Sequence, residues 1–204
     1  MNIIILGDKY QKRMKSRGCV GLIKTNNKNI LSNQYSVLKK HFPYANIIYV
    51  YGFDNKKFIS YIEKNLPTYN DIILVYNENY DKYNNTYSLN LVKDYLNTDC
   101  LILFGDHVLK NSMFDNFKQT TRSQVFVNKK IKNKLGCIIN DRHAIENISY
   151  DLENYLSEIY FISKDQIGIF KNLVDNPMYH NYFIFEILNK MIDQNQELIP
   201  NHAK

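Results

Sequence analysis

"CLILFGDHVLK", residues 100–110, decides how the chain is read. Five apolar residues, Cys100–Phe104, halt on Gly105-Asp106-His107, and apolar residues then resume. The run is short enough for a strand. It is also continuous rather than alternating, as expected of a strand covered on both faces. Three similar runs precede it, at residues 3–6, 47–50 and 71–76. Segments of helical period separate them. Ile30, Leu31, Gln34, Tyr35, Leu38 and Phe42 share one helix face, closed by Pro43. Phe58, Ile59 and Ile62 mark a second helix with Asp54 as its expected N-cap. Leu89, Val92, Tyr95 and Leu96 mark a third, with Asn84, Asn85 or Thr86 available to cap it. Strand–helix repeated in this way gives an α/β fold: a mostly parallel, Rossmann-like sheet with helices on both faces.

The second half has a different texture. "VFVNKKIKNKLGCIIN", residues 125–140, reads as a hairpin around a Lys/Asn turn. Tyr160-Phe161-Ile162 reads as a short strand, followed by a helix from about Ser163 and a last one through Ile184, Ile187, Leu188, Met191 and Ile192. The expected architecture is one domain over residues 1–204, with an α/β half (1–110) and a small α+β extension (111–204).

Composition bounds the function. With 204 residues, 45% apolar and 23% charged, the chain can bury an ordinary core. The net charge of +6 points to an anionic partner, and Lys9, Lys12, Arg13, Lys15 and Arg17 crowd one early stretch. Nucleic acid ranks last among such partners, since no recognised binding module accompanies the cluster. Three cysteines without a CxxC spacing indicate neither a disulfide frame nor a zinc site. The N-terminal apolar pentad lacks a charged n-region, and no apolar run approaches the ~20 residues of a membrane helix. A cytoplasmic protein is expected. The sequence leaves its oligomeric state open.

In an open α/β sheet, ligands bind at the carboxyl ends of the strands. Asp106 falls at such an end, and Gly105 lets the chain turn sharply there. A carboxylate so placed suits Mg²⁺, which prefers oxygen ligands and bridges to substrate phosphates. The same two residues also fit an ordinary turn.

The stretch "LVYNENYDKYNNTYSLNLVKDYLNTDCLILFGDHVL" resembles the middle of the GT-A-fold nucleotidyltransferases, above all the phosphocholine cytidylyltransferases and sugar-1-phosphate nucleotidyltransferases. In that family an N-x-x-x-S-L element opens a helix, and the next strand ends in G-D with a metal-binding aspartate. Asn84, Ser88, Leu89, Gly105 and Asp106 stand at those positions. The resemblance implies a nucleotide-binding half (1–110) and an acceptor-side half (111–204). It also implies transfer of an NMP from an NTP to a sugar 1-phosphate or phosphocholine, with pyrophosphate release. Asp106 and Glu186, in "YFIFEILNKMI", would hold Mg²⁺. Arg13, Lys9 and Lys12 would bind the triphosphate, with Gly7, Asp8, Asn84, Ser88 and Gly105 lining the nucleotide site.

One part departs from the family. Its Gly-rich A-A-G-x-G-x-R-M loop is "LGDKYQKRM" here, so Lys9 and Gln11 replace the two glycines, and Val20 or Gly21 replaces a lysine. Glycine there lets backbone N–H groups close around phosphates. Two alternatives therefore stand beside the enzyme: a catalytically degenerate nucleotide-binding or assembly protein, and a GT-A glycosyltransferase. The latter lacks its usual D-x-D, since "GDH" offers one carboxylate. The Tyr-rich "YNENYDKYNNTY" could form an aromatic cage for choline.

Overall fold

The computed structural model describes residues 1–10, 12–25, 28–128 and 135–202, the side chains of residues 12–14 and 66 excepted. The first half places β1 (Asn2–Leu6), β4 (Asn46–Tyr51), β5 (Ile72–Tyr76) and β6 (Cys100–Phe104) side by side, with a small ribbon of β2 (Lys24–Thr25) and β3 (Lys28–Asn29) between β1 and β4 in the chain. Between them run α1 (Ile30–His41), α2 (Asn55–Lys64), α3 (Leu66–Tyr69) and α4 (Asn85–Asn90). The second half adds β7 (Ser123–Val127), β8 (Leu135–Ile139), β9 (Ile145–Tyr150), β10 (Leu156–Ile162), α5 (Ile167–Asp175), α6 (Ile184–Asp193) and β11 (Leu198–His202). Among the described residues, all the strands but β2 and β3 join in one nine-stranded sheet ordered β5-β4-β1-β6-β10-β7-β11-β9-β8.

The continuous apolar runs have the cause expected of them. β1 pairs in parallel with β4 and β6, aligning Ile4 with Ile48 on one side and Ile102 on the other. Ile4, Ile48, Val50 and Ile102 face a core shared with α4, α5 and α6, while Ile3, Ile5, Ile47, Leu101 and Leu103 face one shared with α1 and α2. Each such side chain stabilises the fold by about 1.5–3 kcal/mol, so alternating polarity would have been costly here. Among the described residues, no helix is long and apolar enough to cross a membrane.

Several local expectations are corrected. Residues 125–140 do not form a hairpin. β7 pairs with β10 and β11, whereas β8 pairs with β9. Every residue of β7 is buried, and a strand covered on both faces and both edges takes its partners from distant sequence. The Lys/Asn turn, residues 129–134, lies outside the described residues. The third helix ends at Asn90 and continues as a 3-10 turn, Lys93–Tyr95. Asp54 stands at the start of α2 but makes no capping bond, and its carboxylate pairs with Lys57 at 3.1 Å. The α5 helix starts at Ile167 rather than near Ser163. β11 was not anticipated, because Pro200 inside its run is a poor strand signal.

Candidate active site

The strands β1 and β6 end side by side, and the turns that follow them touch. Gly7 N donates to Val50 O at 2.9 Å and Gly105 N to Leu6 O at 2.8 Å. Beneath both lies the ring of Tyr49, fully buried on β4. A Cβ on Gly7 would sit 2.1 Å from the Tyr49 hydroxyl, and one on Gly105 would sit 2.6 Å from Gly7 Cα. The two glycines are thus required by close approach, which leaves a floor without side chains at the strand ends.

Above that floor opens a crevice of about 400 Å³, lined among others by Asp8, Lys9, Tyr10, Asn84, Asp106 and Glu158. Four residues singled out from the sequence therefore meet around one cavity: Asp8, Lys9, Asn84 and Asp106. Ser88 is fully buried behind it, donating to Asp8 Oδ2 at 2.8 Å. Asn77 Nδ2 donates to the same oxygen at 2.8 Å, while Asp8 Oδ1 is buried and has no hydrogen-bond partner among the described residues. Burial raises the Asp8 carboxyl above the usual carboxylate range; the bond from Ser88, the charge of Lys9 and the bond from Asn77 oppose it. Lys9 points elsewhere than expected. Its ammonium donates to the carbonyls of Tyr80 and Tyr83. Burial lowers its pKa, against the charges of Asp8 and Asp81. Asn84 occupies the N-cap position of α4, but its Nδ2 donates to Asn181 O at 2.9 Å. The side chains of Lys12 and Arg13 lie outside the described residues.

Glu158 shares the crevice with Asp106, and nothing in the sequence marked it. β10 runs antiparallel to β6 and pairs Tyr160 with Ile102, so the start of β10 reaches the end of β6. A register shift between Leu156 and Tyr160 then re-aims residue 158, whose φ of 52° is a strained value for a non-glycine residue. His107 lies between the two acids, its Nε2 3.8 Å from Asp106 Oδ1 and 3.6 Å from Glu158 Oε2. Burial, the largest influence, works against the imidazolium. The bond to Glu158 and the charges of Asp106 and Glu158 outweigh it and raise the His107 pKa.

Glu186 sits differently from its expected place. Its Oε2 accepts from Phe183 N at 2.7 Å, closing the first turn of α6. A glutamate three residues into a helix commonly does this. Among the described residues, no group of three or more His, Cys, Asp or Glu side chains is arranged to hold a metal. The donor set of Asp106 and Glu158 nevertheless fits Mg²⁺, which uses one or two carboxylates and takes its remaining ligands from phosphates and water.

Across Glu158 the crevice adjoins a recess of about 240 Å³ walled by Phe104, Tyr150, Tyr160, Phe183 and Phe185. Phe183 and Phe185 stack with centroids 5.9 Å apart, and Tyr150 meets Phe185 edge-on at 5.6 Å. Of the Tyr-rich stretch, Asn85 lines this recess but none of the tyrosines does. Its Tyr83 and Tyr87 pack on each other and on His180 instead.

No family model matches the chain. A choline-phosphate cytidylyltransferase of Haemophilus influenzae is 29% identical over 131 residues, which are 63% of this chain and 54% of that protein. The chain thus spans about half the length of that curated relative. A CTP:phosphocholine cytidylyltransferase from Streptococcus pneumoniae superimposes with a TM-score of 0.81 at 21% identity, covering 100% of this chain and 90% of that one. A putative glucose-1-phosphate thymidylyltransferase from Bacillus anthracis gives 0.78 at 16% identity, covering 100% and 87%. An inositol-1-phosphate CTP transferase from T. maritima gives 0.77 at 15%, covering 98% and 84%. The resemblance read from residues 1–110 is borne out, and along its whole length the chain has the fold of the nucleotidyltransferases.

Proposed function

We propose that the protein is a GT-A-like nucleotidyltransferase that joins an NMP, taken from an NTP, to a phosphorylated small molecule, with phosphocholine favoured over a sugar 1-phosphate. One observation carries this: Asp106 and Glu158 face a single crevice that continues into an aromatic recess. Quaternary ammonium groups are held by aromatic faces beside a negative charge. A sugar calls instead for a ring of hydrogen-bonding groups, whereas three phenylalanines, Leu135 and Ile184 make up most of this lining, with Asn85, Glu158 and two tyrosines as its polar members. The 29% identity to a choline-phosphate cytidylyltransferase supports the same choice.

In this reading an oxygen of the acceptor phosphate attacks the α-phosphorus as the bond to the β-phosphate oxygen breaks, and pyrophosphate leaves. No covalent enzyme intermediate forms, so positioning and charge neutralisation carry the rate. Asp106 and Glu158 would hold Mg²⁺, which when bound offsets the charge of the triphosphate. Arg13 and Lys12, on the 3-10 turn Lys12–Arg17, would supply further positive charge. Asn84 fixes the start of α4 at the crevice wall through Asn181. Ser88 acts from behind, holding Asp8 rather than the nucleotide.

The test is pyrophosphate release with each NTP and Mg²⁺ against a panel of phosphocholine and sugar 1-phosphates. Release is expected with phosphocholine and at least one NTP. Turnover confined to sugar 1-phosphates would overturn the acceptor assignment. Binding of an NTP with no release for any pair would establish the binding-only alternative, which the substituted glycines favour.

A further inference from the structure

Taking the crevice as a nucleotide site, we infer that Asp8 and Lys9 form a clasp that sets the width of the slot for the nucleoside, so that Lys9 is a positioning residue and not a phosphate ligand. These consecutive residues pull in opposite directions on the same wall. Asp8 reaches inward, its Oδ2 accepting from Asn77 Nδ2 and Ser88 Oγ, each at 2.8 Å. Lys9 reaches outward, its ammonium donating to the carbonyls of Tyr80 and Tyr83. Residues 77–83 are thereby tied at both ends to the turn after β1.

A third loop tightens the arrangement. Phe53 N donates to Asp8 O at 2.9 Å. At the neighbouring Gly52, an added Cβ would lie 2.6 Å from Tyr80 Cβ and 2.9 Å from Asp8 O. The turns after β1, β4 and β5 are therefore packed to the limit that a glycine allows. Lys9 also lines a shallower recess of about 260 Å³ on the outer side, with Tyr80, Asp81 and Tyr83, so with Tyr10 and Asn84 it stands between that recess and the crevice. An ammonium has three donors, and two are committed to wall carbonyls. Withdrawing it toward a phosphate would break both bonds and leave the part-buried Tyr80 carbonyl unpaired, which is costly. A loop of glycines would close on phosphates through its backbone. This loop is instead held open at a fixed width by its side chains.

The number of phosphates on the ligand separates the two roles. The tightest binder of CTP, UTP, GTP and ATP is identified by calorimetry. Its triphosphate, diphosphate, monophosphate and nucleoside are then titrated into wild type, Lys9→Met and Lys9→Arg. A clasp predicts that Lys9→Met weakens all four ligands by the same factor, about tenfold. It predicts partial recovery in Lys9→Arg, whose fork can still reach two carbonyls. In turnover, KM for the NTP should rise while kcat stays within about twofold, because the reacting atoms are untouched. Gly52→Ala, which displaces Tyr80 from the other side, should give the same loss whatever the phosphate count. A loss that grows with each phosphate, or affinities unchanged by Lys9→Met, would overturn the inference while leaving the nucleotide reading intact. If wild type binds none of the nucleotides, that reading fails and the clasp falls with it.

Discussion

The strands on either side of β6 contribute to the site in different ways. On one side β5, β4, β1 and β6 run parallel, so their carboxyl ends gather at one edge without further arrangement. Gly7, Asp8, Gly105 and Asp106 reach the crevice simply by following their strands. On the other side β10 is antiparallel, and it delivers a residue from its start rather than its end. Glu158 needs a register shift and a left-handed backbone to face the same space. The aromatic recess is likewise assembled from separate pieces: the end of β6, the end of β9, β10 and the start of α6. In this account the parallel half builds a nucleotide floor and the antiparallel half builds acceptor walls.

Substitutions that strain one half and spare the other can break that division. The largest effect is expected at Gly136 in β8, where a Cβ would lie 2.2 Å from Leu152 O and 2.7 Å from Glu153 O. Both are backbone atoms, so Gly136→Ala should destabilise the protein by about 3 kcal/mol or more. Chemical denaturation gives the value. At temperatures where the variant is folded, nucleotide affinity should survive while phosphocholine binding weakens, since Leu135 lines the recess. Loss of both together would mean the halves are not separable.

Gly105→Ala presses in the opposite direction. Its Cβ would meet Gly7 Cα at 2.6 Å and the Tyr49 hydroxyl at 2.8 Å, at an expected cost of about 1–3 kcal/mol. Because the two strand-end turns must part, nucleotide affinity should fall with stability. Calorimetric affinity equal to wild type would remove the crevice floor from the account.

A smaller, pH-dependent effect belongs to Asp8. Burial raises its carboxyl in the folded protein, so the native state holds that proton more tightly than the unfolded chain does. Stability from this group is therefore greatest at low pH and falls as pH rises from the free carboxyl's 3.8 through the raised native value. Asp8→Asn should lack that fall. In melting temperatures measured across pH, the difference between variant and wild type should move in the variant's favour as pH increases through this window. Parallel profiles would show that Asp8 carries no such penalty. The smallest change is expected at Gly168 in α5, where an added Cβ meets nothing within 4 Å. Gly168→Ala should stabilise the fold by about 0.5–1 kcal/mol and leave ligand binding unchanged. Denaturation and titration together check it.

The same contrast explains what could be read in advance. The parallel strands were legible because burial on both faces forces an unbroken apolar run, and the runs at residues 3–6, 47–50 and 100–104 fall within the observed strands. Asp106 was legible because a turn after such a strand has one available direction. In "LSEIYFI" the acid at 158 looks like any alternating polar position, and its placement depends on a bulge and on pairing with a strand more than fifty residues earlier. Glu186 drew attention for the opposite reason: an acid near a helix start has the same local pattern whether it binds a metal or caps a turn. The 125–140 hairpin failed because a local pattern of two strands and a turn carries no information about which distant edge each strand will join.

Under the proposed function, Asp106 closes the nucleotide floor as a metal-binding carboxylate. The most direct test measures thermal stabilisation of wild type and Asp106→Asn by an NTP, with and without Mg²⁺. The exchange keeps the side chain's size and its place beside His107, so the stability of the apo protein should change by roughly a kcal/mol. Wild type should gain additional stability from the NTP when Mg²⁺ is present, and Asp106→Asn should lose that increment, because a neutral amide is a poor ligand for a hard dication. An Asp106→Asn protein that retains the full Mg²⁺-dependent increment would contradict the account.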